Sequence, residues 1–399
     1  MIDSINVQDW MTQEEACAAL DVRKQTLYAY VSRGQIAVRR DPSRVGRNRY
    51  SASDVLTLLD KRRRGRARTT IAASTMAWGE PIVSTHISTV VRGRLYYRGL
   101  DAVGLSETAT LEDIARLLWE TSGDTPPHFP GVRHGLAAST PLAQAYAALG
   151  QAAADGAASN TQGFPAAHQE AARLVGQLAS GFVALRDGSG ATALHRRLAE
   201  AWDAAPHADL LRRALVLLAD QELTTSAFAA RVAASTGASL GACALAGLAA
   251  LSGPRHGGAP ARVLAFLDDA RRVGVETHVV SALAHADPAR APLSGFAHPL
   301  YPQGDPRAIS LLNAFPAPDT IRDIINCVDR HTGRKPTIDI ALVALVEYCR
   351  LPRDAAFALF AIGRSVGWMA HAIEQIGSGT LLRPRAHYIG PPIVEDAAS

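Results

Sequence analysis

Residues 252–263, SGPRHGGAPARV, interrupt a strongly apolar stretch and place one histidine among glycines and prolines. The twelve apolar residues before them, 240–251, are too few to span a bilayer and are typical of a helix buried in a large core. The glycines and prolines then end regular helix around His256. A helix end leaves backbone groups unpaired, glycine permits close approach, and an imidazole can donate or accept a proton near neutral pH. The pattern therefore indicates a ligand site, with an ordinary Gly-Pro turn as the alternative.

Length and composition predict a soluble helical protein. The chain has 399 residues, 48% of them hydrophobic and only 6% aromatic, which favours two or three domains built of helix packed on helix. The four cysteines stand far apart, so a reduced, cytoplasmic compartment is expected. The N-terminus lacks a signal pattern and no window approaches a transmembrane run, so no membrane partner is expected. The histidines are scattered, and we expect no metal site.

The positive charge is concentrated at the N-terminus. The first 70 residues carry 14 Lys and Arg against 8 Asp and Glu, whereas the remainder carries 27 against 29. Such a split indicates an N-terminal module that binds nucleic acid, on a near-neutral body. A solvated basic tail is the alternative.

The local pattern of this end favours a folded module. Thr12 and Glu15 form a capping box for a first short helix, and a second helix over residues 23–32 is expected to bury Leu27, Tyr28 and Val31. Residues 35–50 alternate like a two-stranded wing, and a third helix starts near Ser53.

This arrangement resembles the winged helix-turn-helix of the MerR and excisionase type. The resemblance implies binding of duplex DNA, with the second helix in the major groove and the wing against phosphates. The expected contacts are Arg23, Lys24, Gln25 and Arg33 from the helix, and Arg39, Arg40, Arg47 and Arg49 from the wing. The alternative is that the module only packs or dimerises.

Beyond a linker at residues 66–77, helical periods dominate, and a second family resemblance emerges. Its motifs, in chain order, are YRGLD (97–101), GPRHGGAP (253–260), SGFAHPLYPQGDPRA (294–308), FAIGRSVGWMAHAIEQ (360–375) and LLRPRAHYIG (381–390). Together they resemble the citrate synthase family in its bacterial dimeric form, which includes methylcitrate synthases. The resemblance implies an all-α body of two domains behind the helix-turn-helix domain of residues 1–65: a large domain of residues 78–255 and 351–399, and a small domain of residues 256–350.

The resemblance also implies an activity of the tricarboxylic acid cycle type, in which acetyl-CoA or another short acyl-CoA condenses with oxaloacetate or a related 2-oxo acid. The CoA thioester is a substrate, and no cofactor is implied. His256 would hydrogen-bond the thioester oxygen, and His298 would polarise the keto oxygen. Two aspartates compete for the base: Asp329 in CVDRHTG and Asp339 in PTIDIAL. Counting back without gaps from FAIGRSVGW places Asp339 on the family motif. We therefore expect Asp339 to be the base that removes a proton from the methyl group of acetyl-CoA.

Three arginines match the family's ligands for carboxylates: Arg307, Arg364 and Arg383. The family's equivalent of Arg383 reaches into the neighbouring subunit's site. The resemblance therefore implies a homodimer with a shared active site.

Two departures from the family pattern bear on the substrate. The family's Asp-His-Glu-Leu-Asn-Ala-Ser reads DQELTTS at residues 220–226 here. The uncharged Gln221 therefore replaces a histidine that contacts the 2-oxo acid in the family. Ser226, the last residue of the segment, is expected to support the residues that contact substrate. Pro299 and Pro302 replace two basic residues near the CoA side. These losses leave a second hypothesis open: a DNA-bound regulator whose degenerate citrate synthase body senses a metabolite.

Overall fold

The computed structural model of the protein describes residues 10–20, 22–41, 47–58, 83–121, 123, 125–132, 139–158, 163–183, 185, 192–285, 293–386 and 388–391. The chain divides into two compact units, Met1–Ser84 with Arg385–Ser399, and Thr85–Pro384. Division of the second unit into a large and a small domain stays a prediction.

The first unit combines three helical segments with a small antiparallel sheet. Helices α1 (Gln13–Leu20) and α2 (Lys24–Ser32) are followed by α3, in which residues 52–58 are helical. Strands β1 (Trp10–Met11), β2 (Val38–Arg40) and β3 (Asn48–Ser51) form a sheet in the order β1-β3-β2. The wing expected from the sequence is therefore present as β2 and β3, with a third strand added. The hydrophobic core of the first unit consists of Ala16, Leu20, Leu27, Ile36, Tyr50 and Val55.

The capping box is confirmed, but the inward face of α2 differs from our expectation. The backbone N–H of Thr12 donates to Glu15 at 2.8 Å, and the backbone N–H of Glu15 donates to the Thr12 hydroxyl at 3.3 Å. Leu27 is fully buried, whereas Tyr28 is 52% exposed and Tyr30 packs against the core instead. The reason is helical spacing, because positions three and four residues after Leu27 share its face and the next residue does not.

The second unit is almost entirely helical, as predicted. A three-stranded antiparallel sheet, β4 (Ser88–Val91), β5 (Arg94–Tyr97) and β6 (Leu100–Asp101), precedes the helices. Thr110 opens α5 with a capping box to Asp113. The helices are α4 (Ala102–Ser106), α5 (Leu111–Trp119), α6 (Pro141–Asp155), α7 (Phe164–Phe182), α8 (Leu194–Ala201), α9 (Ala208–Leu218), α10 (Thr225–Ser235), α11 (Leu240–Leu251), α12 (Ala259–Val273), α13 (Val275–His285), α14 (Pro306–Leu312), α15 (Asp319–Thr332), α16 (Ile338–Tyr348) and α17 (Ala355–Ser378).

Helix α17 forms the centre of this unit. Its length and apolar composition would suffice to cross a membrane, contrary to our expectation that no window would do so, yet 94% of the apolar window is buried inside the unit. Trp368 of α17 lies against Gly247 of α11 so closely that a β-carbon on the glycine would come within 2.6 Å of the indole ring. Such burial is typical of a core helix in a large domain.

Candidate active site

The loop that carries His256 is shaped by glycine. Helix α11 ends at Leu251, and the N–H of Gly257 returns to donate to the Leu251 carbonyl at 2.8 Å. A β-carbon at Gly257 would lie 2.7 Å from that oxygen, so a larger residue does not fit. The break predicted from the sequence is therefore a compact turn between α11 and α12, with His256 inside it.

His256 is a neutral, oriented imidazole. Its Nε2 lies 2.9 Å from the hydroxyl oxygen of Ser226, near the start of α10. Burial, assisted by the positive charge of Arg364, lowers the pKa of His256 to about 4. When the Ser226 hydroxyl donates to Nε2, the ring proton resides on Nδ1, which can then donate to a substrate oxygen.

The segment that carries His298 is tied to the segment before α16. The N–H of Thr337 donates to the carbonyl of Gly295 at 2.8 Å, and the N–H of Ala297 donates to the carbonyl of Lys335 at 3.0 Å. Ala297 has φ +59°, an unfavourable conformation for a residue with a β-carbon. Strain of this kind often accompanies functional sites, and here it immediately precedes His298.

Both nitrogens of His298 face N–H groups. The backbone N–H of Leu300 donates to Nδ1 at 3.2 Å, and the amide nitrogen of Gln221 lies 3.3 Å from Nε2. A neutral imidazole accepts at only one nitrogen, so with the Leu300 bond formed, Nε2 carries the proton and faces another donor. Two donors thus converge where an oxygen could accept from both. Burial and the charge of Arg307 lower the pKa of His298 to about 4, so it donates as a neutral ring.

Gln221 is locked in its orientation by Arg307. The Arg307 Nη1 donates to the side-chain oxygen of Gln221 at 2.7 Å, which turns the amide nitrogen toward His298 and Tyr301. Tyr301 was not among the predicted site residues. It is 2% exposed, and its ring lies 4.9 Å from that of His298. Its place three residues after His298 in the same motif was the available signal.

Arg307 is committed to an internal ion pair. Its Nε and Nη2 donate to the two carboxylate oxygens of Asp305 at 2.9 and 2.8 Å, in the bidentate geometry typical of arginine. Asp305 also caps α14 and accepts from the backbone N–H of Ile338 at 3.1 Å. Burial works against the charged form, but the charge of Asp305 keeps the pKa of Arg307 above its usual value. Arg307 therefore links Gln221, through the carboxylate of Asp305, to the start of α16.

Asp339 lies in the first turn of α16. Its Oδ2 accepts from the hydroxyl of Thr337 at 3.0 Å. Burial raises the pKa of Asp339, although the Thr337 hydrogen bond and Arg307 oppose the shift. Asp329, the rival candidate, has a solvated carboxylate, 42% exposed, that pairs with Lys335 at 2.8 Å. Of the two aspartates, only Asp339 therefore has an environment that suits proton abstraction.

Arg364 is buried and incompletely satisfied. It is 0% exposed; its Nε donates to the carbonyl of Leu218 at 2.8 Å, and its Nη1 donates to the hydroxyl of Thr224 at 3.4 Å. Its Nη2 is buried and has no hydrogen-bond partner among the described residues. Burial lowers the pKa of Arg364. A buried guanidinium with a free N–H group calls for an anionic acceptor.

Five of the predicted side chains lie close enough to influence one another electrostatically. Arg364 lowers the pKa of both His256 and His298, and Arg307 lowers that of Asp339. Arg383, in contrast, is exposed in the segment after α17 and makes no hydrogen bond to a described residue. Two cavities, of about 560 and 400 Å³, are lined by none of these residues.

In the first unit, the side chains expected to contact DNA fall into two groups. Arg23, Lys24, Gln25 and Arg33 are exposed on or beside α2, and Arg39, Arg40 and Arg47 are exposed on the wing. Arg49 instead turns inward, with its Nε on Asp41 at 3.1 Å and its Nη1 3.4 Å from the carbonyl of Trp10. Arg39 stacks 4.2 Å over the ring of Trp10. Arg49 therefore holds the wing together and has less freedom to reach a phosphate.

Fold and sequence together define the protein family. Residues 76–385 match the family model of the citrate synthase C-terminal domain, and the chain belongs to the citrate synthase family. Residues 10–63 match a helix-turn-helix domain.

Particular relatives agree with this assignment. The putative citrate synthase 2 of Mycobacterium tuberculosis is 34% identical over 205 residues, which are 48% of this chain and 54% of that protein. The 2-methylcitrate synthase 2 of Corynebacterium glutamicum is 29% identical over 191 residues, 45% of this chain and 48% of that protein. The chain thus spans about half the length of the curated relatives it matches. The crystal structure of citrate synthase from Thermotoga maritima superposes with a TM-score of 0.65 at 26% identity, covering 79% of this chain and 96% of that one.

Proposed function

We propose that the second unit condenses a short acyl-CoA with a 2-oxo acid, in the first instance acetyl-CoA with oxaloacetate, to give citrate and free CoA. The proposal rests on Nη2 of Arg364, which is buried without a hydrogen-bond partner in the described part of the chain, and whose charge lowers the pKa of His256 and His298. A carboxylate of the 2-oxo acid would satisfy it. The other groups of the site then have matching tasks.

The first step is removal of a proton from the carbon next to the thioester. Asp339 would accept this proton, because partial desolvation raises its pKa and makes it a better base than a solvated carboxylate. The electron pair moves onto the thioester oxygen, where the Nδ1–H of His256 would stabilise the enol. A neutral donor suits this task, since it stabilises the developing charge without adding a cation to the ground state.

The second step forms the carbon–carbon bond. The enol carbon attacks the keto carbon, and the keto oxygen becomes an alkoxide that takes a proton from His298. The Gln221 amide would donate to the same oxygen, because it points at the position that His298 Nε2 faces. Water then cleaves the thioester and releases the CoA thiol and the product acid.

The uncharged Gln221 and the loss of two basic residues at Pro299 and Pro302 bear on which substrates are accepted. Gln221 supplies a hydrogen bond without a positive charge, so the 2-oxo acid would be held mainly by the arginines. Arg383 would complete the site from the partner subunit of a homodimer, as its exposure and lack of described partners allow.

Release of CoA thiol tests the proposal. Purified protein is incubated with acetyl-CoA or propionyl-CoA and with oxaloacetate, pyruvate or 2-oxoglutarate, and thiol is followed with a chromogenic disulfide. We expect thiol release that requires a 2-oxo acid. Samples without the acid control for simple hydrolysis. Tight binding of the substrates without any acid-dependent release would refute the synthase and favour a metabolite sensor.

We propose DNA binding as a second function, carried by the first unit. It is supported by the match to a helix-turn-helix domain and by the exposed cations on α2 and at its two ends, Arg23, Lys24 and Arg33. Each phosphate contact releases counterions, so affinity would fall steeply with salt. Fluorescence anisotropy of the full chain on duplex DNA from its own promoter region, with and without oxaloacetate and CoA, tests both binding and coupling.

Paired variants sharpen the DNA experiment. Arg23→Ala with Lys24→Ala should weaken binding and lower the salt slope by about one for each lost phosphate contact. Arg322→Ala with Arg353→Ala removes two exposed cations from the second unit and serves as the matched control. Equal effects of the two pairs, or no binding at low salt, would contradict a DNA-binding module.

A further inference from the structure

Three potential metal ligands meet on the surface formed by α13 and α15. Cys327 and His331 lie one helical turn apart on α15, and Glu276 lies in the first turn of α13. Their ligand atoms, one sulfur, one nitrogen and one oxygen, are all within 4.8 Å of one another. We expected no metal site from the scattered histidines, yet His331 follows Cys327 by four residues, a spacing that puts both on one helix face.

The Glu276 carboxylate already holds the group together. The Cys327 thiol donates to its Oε2 at 3.2 Å, and Nε2 of His331 lies 2.6 Å from its Oε1. Arg330 also donates to Oε2, at 2.9 Å. Two of these three contacts are bridged by hydrogen atoms on the thiol and the imidazole, which are the positions that a cation would take over.

We propose that Glu276, Cys327 and His331 bind a divalent cation of the zinc class. Thiolate and imidazole ligands favour Zn²⁺ and its neighbours in the transition series, whereas Mg²⁺ and Ca²⁺ favour oxygen ligands alone. Three protein ligands leave a fourth, tetrahedral position for water or another ligand. The cluster contains none of the residues assigned to the condensation, so the site is separate from that chemistry.

Binding changes protons but not oxidation states. The cation displaces the thiol proton of Cys327 into solvent and forms a metal–sulfur bond. The ring proton of His331 shifts to Nδ1, so that Nε2 can bind the metal. Arg330 must leave Glu276 and can do so, because its side chain is 67% exposed.

The packing makes this site accessible and yet partly preformed. Cys327 is 1% exposed and fixes the floor of the site within the core, whereas the side chains of Glu276 and His331 are 56% and 38% exposed. Gly274, with φ +92°, directs the chain into α13 and so sets the position of Glu276. The ion can therefore bind from solvent without opening the core.

Cobalt titration of the full chain tests the site. Chelator-treated protein is titrated with Co²⁺, whose bond to a thiolate gives a sulfur-to-metal charge-transfer band in the near ultraviolet. We expect a one-to-one end point and displacement of Co²⁺ by Zn²⁺. Cys327→Ser should abolish the band, and Cys17→Ser, which removes a thiol from the first unit, should retain it. His331→Gln and Glu276→Gln should each lower affinity by at least about tenfold.

Several results would overturn the proposal. A band that persists in Cys327→Ser, or that disappears in Cys17→Ser, would place the metal elsewhere, and the absence of stoichiometric binding would remove the site altogether. If Cys327→Ser fails to fold by circular dichroism, His331→Gln and Glu276→Gln decide, because both change exposed side chains. None of these measurements depends on turnover, so they stand or fall independently of the condensation activity.

Discussion

Replacing Gln221 by glutamate exchanges one amide NH₂ for an oxygen and keeps the shape of the side chain. The oxygen that accepts from Arg307 at 2.7 Å remains, so the substitution preserves the contact that orients residue 221. The substitution changes the other side-chain atom, the amide nitrogen that faces His298 Nε2 at 3.3 Å. In the variant this donor is replaced by an anionic oxygen that accepts. That oxygen would also accept the His298 proton that should be donated to the substrate.

The expected cost follows from two terms. Loss of one hydrogen bond to the keto oxygen costs about 1–1.5 kcal/mol. A carboxylate about 5 Å from a carboxylate of the 2-oxo acid adds repulsion of about 3 kcal/mol at an effective dielectric constant of about 20. The sum of about 4–5 kcal/mol corresponds to a decrease of about a thousandfold in kcat/KM for oxaloacetate. Folding should be spared, because the new charge pairs with Arg307.

The assay is initial-rate thiol release over a range of oxaloacetate concentrations, together with thermal unfolding. Gln375→Glu is the matched control, since Gln375 is 1% exposed and its oxygen likewise accepts from an arginine, Arg231, at 2.7 Å. The control should leave the KM for oxaloacetate unchanged. An unchanged KM in Gln221→Glu would show that the Gln221 amide does not face the 2-oxo acid.

Three further outcomes are expected. His256 and His298 stay neutral in the folded state down to a pKa of about 4 and take up protons near pH 6.5 when unfolded, so each lowers the free energy of unfolding by about 3 kcal/mol as pH falls from about 6.5 to about 4. Denaturant titrations at several pH values should show this loss, and His256→Asn or His298→Asn should reduce it. Arg364→Met should raise the KM for oxaloacetate about tenfold to a hundredfold by removing a charged hydrogen bond, without lowering Tm; an unchanged KM would contradict a carboxylate at Arg364. Finally, Arg383→Ala and Asp339→Asn should each be inactive alone but regain thiol release when subunits are exchanged, and failure to complement would argue against a shared site.

Local sequence signals predicted much of the fold. The apolar run before His256 is helix α11 with the expected ends, Leu240–Leu251, and the predicted capping box of Thr12 and Glu15 is present at the start of α1. These features depend on residues close in sequence. The exposure of Tyr28 departed from expectation because helical spacing places Tyr30, not Tyr28, on the face of Leu27.

The interactions that define the candidate site could not be predicted in the same way. The Arg307–Gln221 contact joins residues 86 positions apart, and Ala297, which has a left-handed backbone, donates to the carbonyl of the distant Lys335. Both depend on tertiary structure. Counting between motifs nevertheless selected Asp339, whose environment differs from that of Asp329 as a base requires.

The most direct measurement compares these two aspartates. Asp339→Asn and Asp329→Asn make the same change in neighbouring elements, one at a carboxylate that accepts from Thr337 and one in a surface ion pair. An amide cannot take the proton of the thioester methyl group, so thiol release should fall by at least about a thousandfold in Asp339→Asn, with substrate binding retained. Asp329→Asn should keep nearly full activity. Equal activity of the two variants, or greater loss in Asp329→Asn, would contradict the proposed site.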